Sequence, residues 1–213
     1  MKYFKQRKRG VQFKRLLVVA TVACLILSFI SVLLWPFGSA SAAQVTIDSS
    51  VDTVATWKNN NGPDTVFISD QVGYVFYRDS TNQCVYSKTT DAGATWGVAV
   101  LVFDNTACLH PVVWYDQWTP GDNTGSLIHI LSVEGTGSDL YYNTLDTSGD
   151  TLGLAAASNL NISTDMTNTM TSAGQARITI TKATNGAIFA GVADGGTVGD
   201  TTFVKRCSSS CTA

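Results

Sequence analysis

Beyond residue 42 the chain holds three arginines, Arg78, Arg177 and Arg206, and one glutamate, Glu134. A guanidinium binds a carboxylate through two parallel hydrogen bonds, so arginines from three successive segments are candidates for clamping an acidic substrate. A glutamate in hydrogen-bond reach of a tyrosine can activate it as a nucleophile, and Tyr141 and Tyr142 follow Glu134 closely. The spacing argues against both. Arg78 ends one β-prone run, Arg177 opens another and Arg206 ends a third, so the expectation is three surface arginines that do not converge. Glu134 opens the Gly-rich string Glu134-Gly135-Thr136-Gly137 and reads as a solvated loop carboxylate. Alternation along a strand also puts only one of Tyr141 and Tyr142 on each face. Trp114, Tyr115 and Trp118 could stack on sugar rings if exposed, but the expectation is that they pack between sheets. His110 and His129 stand alone and no Cys-x-x-Cys pair occurs, so neither a metal nor a cofactor is expected. Both histidines read as structural, His129 on an alternating run with Leu127 and Leu131.

The elements that would position these residues are short and β-prone. Thr, Val, Gly, Asn and Asp dominate, no sustained helical stripe occurs, and Gly/Asn/Asp/Ser clusters punctuate the runs. Runs at Thr65–Ile68, Gly73–Tyr77, Cys84–Lys88 and Val98–Val102 make one unit. Pro111–Tyr115, Leu127–Ser132 and Leu140–Asn143 begin a second, and Arg177–Ile180, Ala187–Val192 and Thr202–Arg206 make a third. Tyr86 and Tyr142, Gly93 and Gly149, Thr95 and Thr151, Trp96 and Leu152, and Gly97 and Gly153 are each 56 residues apart. Four strands per unit at a period near this value is the pattern of propeller blades. Units are expected near residues 63–105, 110–155 and 174–213, with hairpins at 84–103 and 140–154 and no helix of ten or more residues between 63 and 155. The polar stretch 158–174 reads as a connection carrying an irregular strand.

Within the first unit, Thr89-Thr90-Asp91-Ala92-Gly93-Ala94-Thr95-Trp96 has a residue type suited to each position of a tight hairpin turn. An Asp carboxylate accepts turn amides, a glycine takes backbone angles that a Cβ resists, and a Thr suits re-entry into a strand. A Trp offers an apolar plate beneath the turn. The run matches Ser/Thr-x-Asp-x-Gly-x-Thr-Trp at Thr89, Asp91, Gly93, Thr95 and Trp96, and so resembles the Asp-box (bacterial neuraminidase repeat) of the sialidase, or neuraminidase, superfamily. Thr144–Gly153 looks like a decayed copy with one inserted residue and Leu152 in place of Trp96. The resemblance implies an all-β, sialidase-like Asp-box β-propeller, of which two and a half to three four-stranded blades are present. It implies a structural role for the box, which in the family lies away from the active site. In a catalytic member, three arginines hold the substrate carboxylate, a Tyr activated by a Glu is the nucleophile, and an Asp is the acid/base. An Arg-Ile-Pro signature normally stands on the first blade. None occurs here, and the nearest string is Arg177-Ile178-Thr179.

The first 42 residues differ in kind. A head with seven basic and no acidic residues precedes a 20-residue apolar run from Leu16 to Trp35, followed by Ala40-Ser41-Ala42. That is a secretory signal with cleavage after Ala42, or, because the run is long enough to span a bilayer, an uncleaved anchor helix over residues 16–35. Either places residues 43–213 outside the cytoplasm, secreted or anchored. That remainder has seven basic and sixteen acidic residues, a net charge of −9, which argues against nucleic acid or an anionic membrane surface as partner. Its four cysteines, Cys84, Cys108, Cys207 and Cys211, are expected to form disulfides, with three connectivities open. Asn161-Ile162-Ser163 fits an N-glycosylation acceptor. The expected function is a non-catalytic extracytoplasmic module that binds glycans or cell-surface proteins, or acts as a scaffold. The alternative is part of an exo-sialidase or related glycoside hydrolase whose catalytic residues lie partly in further blades.

Overall fold

Among the described residues the β-branched and aromatic runs form strands, paired antiparallel into three sheets. The computed structural model describes residues 44–51, 62–104, 108–133, 139–155, 158–162, 177–193, 202–208 and 211. The signal or anchor segment 1–42, Glu134 and Ser163 lie outside the described residues. Among those described, the one helical element is a three-residue 3-10 turn, Asp116–Trp118, and no helix is long and apolar enough to cross a membrane.

The first sheet runs β1 (Thr65–Phe67), β2 (Gly73–Arg78), β3 (Cys84–Thr89) and β4 (Val100–Phe103) in sequential order. The second runs β5 (Pro111–Tyr115), β6 (Leu127–Val133), β7 (Leu140–Asp146) and β8 (Thr151–Leu152). A two-residue strand β9 (Leu160–Asn161) pairs with the other end of β7, opposite Tyr141 and Tyr142. This is the irregular strand expected in the 158–174 stretch. The third sheet comprises β10 (Arg177–Lys182), β11 (Ile188–Ala193) and β12 (Thr202–Cys207). Both expected hairpins are present, as the β3–β4 and β7–β8 pairs.

The second sheet is buried on both faces, and alternation assigns its residues cleanly. Val113, Tyr115, Ile128, Ile130 and Leu145 pack with Val66, Tyr74, Phe76 and Tyr86 of the first sheet. Val112, Leu131, Val133, Leu140 and Tyr142 pack with Ile178, Ile180, Ile188, Ala190 and Val192 of the third. Burying each such aliphatic side chain contributes roughly 1.5–3 kcal/mol, so the second sheet is the energetic centre. Trp114 and Trp118 are half-buried and meet edge to face at 5.7 Å, with the Trp114 indole N–H donating to Thr119 Oγ1 at 3.0 Å. They pack against the two cores as expected and form no flat platform.

Cys84 bonds Cys108 and Cys207 bonds Cys211, which selects one of the three connectivities. The first bridge ties the start of β3 to the connection entering the second sheet. Ile47 and Val51 lie over Val75, Tyr77 and Val85 and cover part of the first sheet's outward face.

Candidate functional site

The Thr89–Trp96 turn is built around two side chains. Thr89 Oγ1 accepts the Gly93 amide at 2.9 Å and donates to Asp91 Oδ1 at 2.8 Å. The Asp91 carboxylate in turn accepts the Thr95 amide at 2.8 Å and the Thr95 hydroxyl at 2.6 Å, bracing the two sides of the turn. These bonds, led by the Thr95 hydroxyl, hold the Asp91 carboxyl below the usual range. Ala92 and Gly93 take positive φ of 59° and 85°, and at Gly93 the absent Cβ makes that inexpensive. Trp96 lies against the Val75, Tyr77 and Val85 cluster and meets Phe67 edge-on at 6.4 Å.

The second turn keeps the hairpin and loses the brace. The Gly153 amide donates to Thr144 O at 2.8 Å, as the Gly97 amide does to Lys88 O at 2.8 Å, the same bond 56 residues on. Asp146, displaced by the inserted residue, bonds its neighbour Ser148, through the amide at 2.9 Å and the hydroxyl at 2.8 Å, and the Ser126 side chain, but not the far side of its turn. The turn's other aspartate, Asp150, reaches the first sheet instead. It accepts the Tyr74 hydroxyl at 2.6 Å and the Lys88 ammonium at 2.7 Å. Asp91→Ala is therefore expected to lower the thermal midpoint, and Asp146→Ala to lower it less. Equal midpoints for Asp91→Ala and the parent would show that the brace contributes nothing.

A polar chain crosses from the second sheet to the third. Asp116 follows β5 directly, and its Oδ1 accepts from His129 Nε2 at 2.9 Å and from Lys182 Nζ at 2.6 Å. Its Oδ2 accepts the Leu127 amide at 3.1 Å. Lys182, at the end of β10, also donates to Asp122 Oδ2 at 2.8 Å. His129 Nδ1 lies 2.6 Å from the Tyr142 hydroxyl, which also takes a hydrogen bond from the Cys211 amide. In the neutral ring the Tyr142 hydroxyl thus donates to Nδ1, and Nε2–H donates to Asp116. Burial alone would raise the Asp116 carboxyl, but the bonds from His129, Lys182 and the Leu127 amide outweigh it and hold it at about 2. Burial raises the Tyr142 phenol above its ordinary value. A side chain at Gly125 would collide with Asp116, which explains the glycine there.

A Tyr–His–Asp relay can in principle move a proton. Here Tyr142 is 0 % exposed and His129 2 %, so no substrate reaches either group. The chain of bonds works as a staple between sheets. Among the described residues no cluster of His, Cys, Asp or Glu could hold a metal ion.

The arginines lie apart. Arg78 ends β2 opposite Cys84, on the face toward the second sheet and close enough to His110 for its charge to act on that ring. Arg177 and Arg206 are exposed and stand opposite Ala193 and Phe189. They face away from the second sheet, since the alternate residues Ile178, Ile180 and Cys207 face toward it. His110 is buried between the first two sheets, and neither ring nitrogen has a hydrogen-bond partner. Burial and the Arg78 charge push its ring down to about 4. His129 lies on its strand as expected. Asp116 and Lys182 were not expected at a site, and the one signal in the sequence is a carboxylate directly after a fully apolar strand.

Fold and site together define an all-β protein of stacked antiparallel sheets stapled by buried polar chains. No family model matches the chain, and no curated protein matches it. Among solved structures it is similar to a polysaccharide lyase of family PL25, an ulvan lyase bound to -[GlcA(1-4)Rha3S]-, at 13% identity and a TM-score of 0.43. The match covers 67% of this chain, which spans 40% of that protein. At that distance the likeness assigns no activity here.

Proposed function

We propose that the chain is an extracytoplasmic, sialidase-like β-propeller module that binds glycans or proteins through its loops and carries out no catalysis of its own. Face-to-face stacking of three sequential antiparallel sheets carries this reading: the middle sheet is buried on both faces. The five matched positions of the Thr89–Trp96 turn, with Asp91 bracing Thr95, support the Asp-box reading and a structural role for it. The absence of catalysis is supported by the burial of Tyr142 and His129, and by Arg177 and Arg206 facing away from the sheet that Arg78 faces.

Charge narrows the ligand. At net −9 beyond residue 42, an anionic sugar meets repulsion unless cationic groups cluster, so neutral glycans are the favoured class. Screening the disulfide-bonded, exported chain against immobilised neutral and sialylated glycans tests this. Retention on neutral glycans, unaffected by Asp91→Ala in the folded protein, is expected. Selective retention on sialosides, lost in Arg177→Ala, would overturn the reading.

A further inference from the structure

The two ends of the sheet stack are complementary. On the third sheet, Arg177, Thr179, Thr181, Phe189, Val204 and Arg206 face outward, and Val204 is 64 % exposed. No carboxylate lies on this face among the described residues, and neither arginine makes an ion pair there. The first sheet's outward side exposes Phe67 (46 %) beside the half-buried Trp96, and Val98, two residues on from Trp96, is exposed as well. Around that patch stand carboxylates. Asp48 and Asp79 lie at the end where β2 finishes, Asp48 accepting the Tyr77 hydroxyl and Asp79 bridging to Val51. Asp70 and Asp91 lie at the opposite, turn end. Arg177 opens β10 at the end equivalent to the first pair, and Arg206 lies toward the end equivalent to the second.

We propose that the outward face of the third sheet receives the outward side of the first sheet of a second copy of this chain. The contact sets Val204 and Phe189 against the part of that side that Ile47 and Val51 leave uncovered, Phe67 and Trp96. An arginine meets a carboxylate pair at each end of it. The like-with-like arrangements fail electrostatically: third sheet on third sheet brings arginines together, and first on first brings aspartates together. The head-to-tail contact uses different patches on the two partners, so it closes only if the rotation allows. Two copies supply six sheets from their described residues, within the range of about four to eight that closed propellers use. The contact stands on the faces and their charges, so it can fail while the ligand-binding reading holds.

Sedimentation equilibrium of the disulfide-bonded, exported chain at low salt, up to about 100 μM, tests it. A reversible pair is expected, weakened about tenfold or more by Arg206→Glu and restored toward wild type when Asp70→Arg is added in the same chain. Both positions are exposed, so unchanged thermal midpoints separate lost association from lost folding. A monomer across the whole range, or association indifferent to both Arg206→Glu and Val204→Asp, would overturn the proposal.

Discussion

Asp116→Ala is expected to destabilise the chain by about 3–5 kcal/mol, the cost typical of removing one partner from a buried charged pair. The substitution leaves the Lys182 ammonium facing the third-sheet junction with only Asp122, and the His129 Nε2–H with no acceptor. It also releases the Leu127 amide, at the point where β6 begins. Asp116→Asn keeps the shape and can still accept one hydrogen bond, so it should cost less. Urea unfolding at neutral pH reads both, with an unchanged m-value showing that stability and not compactness has moved. A cost under about 1 kcal/mol for the alanine variant would mean that the staple is dispensable.

The second large effect is acid lability in two separable windows. The His110 ring is at about 4 in the folded chain against an ordinary 6.5, because burial and the Arg78 charge oppose its protonation. Between those values the unfolded chain takes up a proton that the folded chain excludes. Stability is therefore complete above pH 6.5 and falls as pH drops toward 4, by about 3 kcal/mol. Asp116 acts lower. Its carboxyl is held at about 2 against an ordinary 3.8, so its contribution is present above 3.8 and lost as pH falls toward 2. Asp48, Asp91, Asp122 and Asp146, also held below their usual range, add to this lower window. Urea midpoints at pH 7, 5 and 4 for the parent and for His110→Phe check the upper window. The variant should be nearly flat there, and an unchanged slope would place the acid sensitivity elsewhere.

What the sequence reveals is local, and what it hides is long-range. Offsets of 56 residues and the Thr89–Trp96 spacing locate both hairpins, because turn chemistry and strand alternation are written within a few residues. In the decayed copy one inserted residue leaves Asp146 bonding Ser148 and Ser126 and not bracing its turn as Asp91 does, while the hairpin survives. Asp116 and Lys182 are separated by 66 residues and meet only because the second and third sheets stack, so neither has a sequence signal as a partner of the other. His110 is expected to be structural, but nothing in its place two residues past a cysteine says what buries it. Its burial follows from the Cys84–Cys108 bridge, which draws that connection against the start of β3. Cys108 is itself one of four cysteines whose pairing the sequence left open.

The most direct test of a binding module without catalysis is turnover of a fluorogenic sialoside by the disulfide-bonded, exported chain. The expected result is release no faster than in buffer, for the parent and for Arg78→Ala, Arg177→Ala and Arg206→Ala alike, because the only described tyrosine coupled to a histidine is sealed between sheets. Turnover above buffer that disappears in Arg177→Ala would contradict it and establish a hydrolase.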